Sequence, residues 1–195
     1  DFVLKKINLK INKNDIIGIY GESGSGKSTL IDVIIGLLEP TTGCIKVDGI
    51  KISNKNRESW LACAGYVPQK IFLTDDTLIE NVAFGKRKND INQKRAINSL
   101  KLVDLNKFLN VKELSRNLGQ SGNNVSGGQL QRIGIARSLY KQSEIYIFDE
   151  STSSLDNKSE KKMITLIKKI SKNKPVIIVS HNLSNLKIFN KMYCL

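Results

Sequence analysis

The spacing of apolar positions divides the chain into short strands alternating with helices. Ile7, Leu9 and Ile11 alternate with polar residues, the period-two pattern of a half-buried strand. Ile16–Tyr20 is a short apolar run that ends at a glycine-rich loop; it predicts a buried strand, then a helix over 26–37. Ile45-Lys46-Val47 and Ile50-Lys51-Ile52 flank Asp48-Gly49, which predicts a tight hairpin. Gly65 to Pro68 reads as a short strand running into a loop at Gln69. From about Thr77 to Leu114 the pattern turns helical, with Leu78, Val82, Ile91, Ile97, Leu100 and Leu102 as candidate core positions. A helix over 127–140 carries Leu130, Ile133, Ile135 and Ala136 on or near one face. Ile145–Phe148 and Val176–Val179 are fully apolar strands, separated by an amphipathic helix over 158–169. Strands alternating with helices predict an α/β fold with a mainly parallel sheet, into which the middle helical stretch is inserted.

Composition narrows the class. Hydrophobic residues make up 40% and charged residues 25% of the 195 positions, a globular balance that excludes a disordered chain. The longest apolar stretch, Leu30 to Leu38, is broken by Asp32 and falls far short of the roughly 20 residues that cross a bilayer. Lys and Arg total 31 against 18 acidic residues, a net charge of +13. Only six of the 31 are Arg and the Lys residues are scattered, so the charge reads as solvated surface rather than a nucleic-acid site. Cys44, Cys63 and Cys194 form no C-x-x-C and cannot all pair within the chain, which suggests reduced thiols in a cytosolic setting. The lone histidine, His181, excludes a His-rich metal site.

Two segments carry phosphate chemistry. Gly21-Glu22-Ser23-Gly24-Ser25-Gly26-Lys27-Ser28 fits G-x-x-x-x-G-K-[ST], with a strand before it and a helix after. Its glycines let backbone N–H groups wrap a phosphate chain; Lys27 would reach the β- and γ-phosphates and the Ser28 hydroxyl would ligate Mg²⁺. Asp149-Glu150 ends a buried strand, where open parallel sheets bind ligands. One carboxylate could support Mg²⁺ and the other accept a proton from attacking water. These motifs alone fit a nucleotide hydrolase or a kinase.

A third segment separates the two. Val125-Ser126-Gly127-Gly128-Gln129 opens a helix, and a simple cap by Ser126 does not by itself call for two glycines followed by Gln. Here the chain resembles the ATP-binding-cassette family, whose signature is L-S-G-G-Q, with Val125 in place of Leu. Gln69 after Tyr66-Val67-Pro68 resembles the family's glutamine loop, Ser153-Ser154-Leu155-Asp156 its S-A-L-D loop, and His181 its switch histidine. The resemblance implies a P-loop core over 1–76 and 142–195 with an N-terminal antiparallel β subdomain, and a helical signature subdomain over 77–141. It implies ATP and Mg²⁺ as cofactors and two cassettes joined head to tail, as a homodimer. ATP would lie between Gly21 to Thr29 of one cassette and Ser126 to Gln129 of the other. It further implies Glu150 as general base and Asp149 as Mg²⁺ support, with Gln69 also touching the metal. His181 would hold the γ-phosphate, and Asp156 would communicate across the dimer.

Ile79-Glu80-Asn81-Val82-Ala83-Phe84-Gly85, Asn117-Leu118-Gly119-Gln120-Ser121-Gly122 and Ser180-His181-Asn182-Leu183-Ser184 resemble the exporter branch, with Gln120 and Asn182 where Glu and Arg are usual. Within that branch, 31–38 and 69–76 look most like flippases of lipid-linked sugars. The implied setting is the cytoplasmic face of the cell membrane, beside a transmembrane part fused upstream, with no nucleic-acid partner. The alternative is a soluble cassette ATPase acting on nucleic acid or the ribosome. No residue before Leu4 matches the family's adenine-stacking aromatic, and the family continues past Leu195, so the resemblance implies a fragment of a longer chain.

Overall fold

Four of the five residues of β1 (Ile16–Tyr20) are buried, because the strand lies inside a sheet covered by helices. A computed structural model describes residues 4–118, 125–150, 157–181 and 188–195. The chain forms two units, one drawn from Asp1–Tyr66, Ser143–Glu150 and Ile170–Leu195, the other from Val67–Gln142 and Ser151–Lys169.

The first unit is built on a five-stranded sheet. Its order is β4 (Ala64–Val67), β5 (Ile145–Asp149), β6 (Val176–Val179), β1 and β7 (Lys191–Cys194). β1 runs parallel to β6 and β7, and β5 parallel to β6. Ile17 and Ile147 both stand beside Ile177, and all three are fully buried. Helix α1 (Lys27–Ile35) adds Leu30, Ile31, Ile34 and Ile35 to the same cluster. Each such side chain contributes roughly 1.5–3 kcal/mol of hydrophobic burial. The register also aligns strand ends: Val179 stands opposite both Ile19 and Asp149. The loop after β1, the acidic pair after β5 and the segment after β6 therefore leave the sheet at one edge.

The hairpin forms as β2 (Lys46–Val47) and β3 (Ile50–Lys51), antiparallel. Asp48 and Gly49 at its turn have φ of 50° and 82°, the left-handed pair that a two-residue primed turn requires. The expected strand over 7–11 is absent. Those residues are irregular, Lys6 has φ of 54°, and no described strand pairs with them. Period-two alternation specifies a strand only where a ladder partner satisfies its backbone. Two elements lay outside the sequence pattern. Helix α2 (Arg57–Cys63) buries no residue fully, and β7 is half-exposed, so neither carries a strong apolar signal. Trp60 nevertheless ties α2 down, its Nε1 donating to Ile34 O at 2.8 Å.

The second unit is helical: the expected pattern over 77–114 resolves into short pieces, and the two helices expected after it form as long ones. Its helices are α3 (Leu78–Val82), α4 (Gln93–Leu102), α5 (Val111–Leu114), α6 (Gly127–Lys141) and most of α7 (Asn157–Ser171). Leu78, Val82 and Leu100 are buried as expected, whereas Leu102 is 46% exposed and Ile91 and Ile97 are half-buried. The buried face of α4 instead runs through Ala96, Ser99 and Leu100, and Val103 continues it. A polar knot lies between the helices. Asn81, fully buried, donates through Nδ2 to the carbonyls of Thr74, Asp76 and Thr77, and its Oδ1 accepts from Thr74 N and Oγ1. Arg137 donates to Asn81 O at 3.0 Å, Asn81 Oδ1 at 3.2 Å and Phe72 O at 3.1 Å. Burial pulls the Arg137 guanidinium below its ordinary pKa. Gly134 on α6 leaves room for Ile71, whose Cδ1 lies 2.4 Å from where a Cβ would stand.

Candidate functional site

The glycine-rich loop follows β1 and ends at α1. Gly24 and Gly26 have φ of 82° and 96°, in the left-handed region that glycine adopts without strain. A Cβ on Gly24 would meet nothing within 4 Å, so the backbone is open on that side. Lys27 is only 7% exposed, and its Nζ donates to Gly21 O at 2.9 Å and Glu22 O at 2.6 Å. The ammonium is thus drawn inside the loop. No side chain caps α1, so its first-turn N–H groups are available to an anion together with the positive end of the helix dipole. Ser25 Oγ is buried in the loop without a hydrogen-bond partner. A buried hydroxyl left this way, inside a curl of glycines around a cation, suits a phosphate chain. Ser28 is exposed and Thr29 half-buried.

Asp149 and Glu150 leave β5 in different environments. Asp149 is 6% exposed. Burial holds its carboxyl above the usual carboxylate range; Glu150 and Asp32 push the same way, and the Tyr66 hydroxyl and Lys27 pull against them. The Tyr66 hydroxyl donates to Asp149 Oδ2 at 3.1 Å, and burial followed by the Asp149 charge raises the phenol's pKa. Glu150 has φ of 49°, a conformation that costs a residue with a Cβ about 1 kcal/mol or more, while its N–H donates to Val179 O at 2.9 Å. This turn sends the Glu150 side chain to His181, whose Nε2 is in direct contact with Glu150 Oε1. His181 follows Ser180, whose N–H donates to Ile19 O at 3.2 Å and so pins the segment to β1. The first unit therefore gathers Lys27, Asp149, Glu150 and His181 from three strand ends. Ser28 and Asp149 offer oxygen donors suited to a hard cation such as Mg²⁺. Among the described residues no cluster of three or more His, Cys, Asp or Glu could hold a metal alone.

The second unit carries the other expected residues. Gln69 stands in an exposed bend. Ser126 is the N-cap of α6 in a full capping box: its N–H donates to Gln129 Oε1 at 3.0 Å, and Gln129 N–H donates to Ser126 Oγ at 3.4 Å. The capping box gives Gln129 a structural role beside any in binding, and the two glycines fill the turn between the partners. Arg132 donates to Gly128 O at 3.2 Å, which steadies the same turn. Asp156 lies outside the described residues. Tyr66 was missed as a site residue, because its partner is 83 positions away and no local spacing marks the pair.

Comparison with known proteins assigns the family. The model of the ABC transporter family matches residues 4–153. The ATP-dependent lipid A-core flippase of Neisseria gonorrhoeae is 35% identical over 186 residues, covering 94% of this chain and 30% of that protein. The alpha-hemolysin translocation ATP-binding protein HlyB of Escherichia coli O157:H7 is 38% identical over 192 residues, covering 97% of this chain and 27% of that protein. The chain thus spans about three-tenths of the length of these relatives. Among solved structures, a bacterial Atm1-family ABC exporter with ATP bound superposes with a TM-score of 0.90 at 28% identity, over 99% of this chain and 34% of that one. The dimeric bacterial ABC transporter cassette MJ0796 gives 0.84 at 30% identity, over 99% of this chain and 86% of that one. With a phosphate loop, an acidic strand end and an α6 capped by Ser126 and Gln129, the chain belongs to the ABC transporter family, as an exporter-type ATPase cassette.

Proposed function

We propose that the cassette binds ATP with Mg²⁺ and hydrolyses it within a head-to-tail pair of cassettes, and that in the intact protein this drives export or flipping of a substrate across a membrane. The observation that carries the reading is the contact of His181 with Glu150 at a strand edge that also bears Lys27 and Asp149. In this reading Lys27 and the loop residues 21–29 hold the phosphates. Ser28, Asp149 and Gln69 hold Mg²⁺, which supplies charge neutralisation along the phosphates. Glu150 takes the proton of the attacking water, and His181 keeps that carboxylate oriented and faces the γ-phosphate. Ser126, Gly127, Gly128 and Gln129 serve the ATP of the opposite cassette, and Asp156 links the paired sites.

The division into a core over 1–76 and 142–195 and a signature subdomain over 77–141 belongs to the same reading. So does a membrane-spanning part of the intact protein, which puts the cassette at the cytoplasmic face, without a nucleic-acid partner. Phe72 and Phe84 are 60% and 50% exposed and meet edge to face, with the Arg137 guanidinium 4.6 Å from the Phe84 ring centre. An exposed aromatic pair fixed from beneath suits docking of the membrane part. The test is ATP turnover by the intact protein in liposomes. Glu150→Gln should lose about 10²–10⁴-fold in rate while still binding ATP. Equal turnover by the variant overturns the role of Glu150.

A further inference from the structure

We propose that Tyr66 is a positioning residue for the metal-binding carboxylate of Asp149, holding one of its oxygens so that the other is presented to Mg²⁺. The inference rests on the reading of Asp149 given above and goes beyond it, to a residue outside the phosphate loop and the acidic pair.

The geometry is specific. Tyr66 lies on β4, next to β5 in the sheet, and its hydroxyl donates to Asp149 Oδ2 at 3.1 Å. Asp149 is the last residue of β5 and is buried, so its carboxylate has few places to point. An acid in that position needs a donor to select one rotamer, and a hydroxyl on the adjacent strand provides it. The sequence also prepares the approach. Residue 65 is glycine, where a Cβ would stand 2.7 Å from Ser143 Oγ, 3.0 Å from Ser143 Cβ and 3.1 Å from Tyr146 Cδ1. A larger residue there would have to displace the Ser143 side chain and crowd Tyr146, beside the strand that carries Tyr66. Tyr66 is also three positions before Gln69 in the chain, so the strand that orients Asp149 leads into the glutamine loop.

Outer partners that orient a metal-binding carboxylate typically contribute 10–100-fold in metal affinity. Tyr66→Phe in the intact protein, in a Glu150→Gln background that stops turnover, tests the assignment. ATP binding is measured as a function of free Mg²⁺ and again in EDTA, and Mn²⁺ binding with saturating ATP is followed by electron paramagnetic resonance. The expected result is a half-saturating Mg²⁺ about tenfold higher, a matching loss in Mn²⁺ affinity, and ATP affinity in EDTA within twofold of the parent. An unchanged Mg²⁺ response, or an equal loss with and without metal, would assign Tyr66 a purely structural role and overturn the inference. Asp149→Asn in the same background separates the two levels. It should abolish the Mg²⁺ dependence; if it leaves that dependence intact, the role of Asp149 fails and the role of Tyr66 with it. If Asp149→Asn responds as expected and Tyr66→Phe does not, only the role of Tyr66 fails.

Discussion

In the first unit the candidate catalytic groups follow strands β1, β5 and β6, whose side chains are buried but for Tyr20, whereas in the second the signature residues sit at a helix start fixed by hydrogen bonds. Ile17, Ile147 and Ile177 are at 0% exposure, and the groups that follow these strands inherit their placement from that register. In the second unit Ser126 and Gln129 hold each other, Thr77 and Glu80 form a second capping box, and Asn81 and Arg137 tie loops and helices together. Burial is tolerant of chemistry but strict about shape; polar knots are strict about both. The difference teaches where each unit is vulnerable.

Truncating the sheet core should have the largest effect on stability. Ile31→Ala removes a fully buried side chain of α1 and should cost about 2–5 kcal/mol, with the loss of amide protection greatest in β1, β5 and β6. Asn81→Ala should cost about 2–4 kcal/mol by leaving the Thr74, Asp76 and Thr77 carbonyls and Arg137 short of partners, and hydrogen exchange should rise first in α3 to α5. If either variant loosens both units equally, the contrast fails.

Ser126 offers a finer cut. Ser126→Ala should cost about 1 kcal/mol through the lost cap, whereas Ser126→Asp keeps a good cap but places a carboxylate where a phosphate is expected. Melting should distinguish the variants from each other, while ATP-driven pairing should fail in both. Retained pairing in Ser126→Asp would reduce the residue to its cap.

The smallest expected effect is acid sensitivity. Hydrogen bonds from the Thr77 hydroxyl and backbone, with Lys88, hold the Glu80 carboxyl below its ordinary value of 4.5. Its contribution is therefore complete above pH 4.5 and is lost as the pH falls below that value through the lowered one. Glu80→Gln should lose that contribution near neutrality and converge on the parent as the pH falls through the acid window, so that its profile is flatter there. A parallel profile would show that the box carries no pH dependence.

The sequence pattern marked the strands and loops that bear the candidate site more plainly than the short elements around them. Val176–Val179, the phosphate loop and the acidic strand end are local signals, and the strand–loop–helix context suffices to interpret them. The strand over 7–11 was misread because alternation carries no information about a partner. Leu102 was misplaced because one step along α4 turns the side chain from core to solvent. Asn81 and Tyr66 were invisible for a shared reason. A buried polar residue earns its place through contacts made in three dimensions, and composition alone reads it as surface.

The most direct test of the shared-site account is the solution mass of the Glu150→Gln cassette, with and without excess ATP, over a range of protein concentrations. The account predicts a single-chain mass without ATP and a twofold mass with it, reached at lower protein concentration as ATP is raised. A single-chain mass under every condition, with ATP bound, would contradict the head-to-tail site.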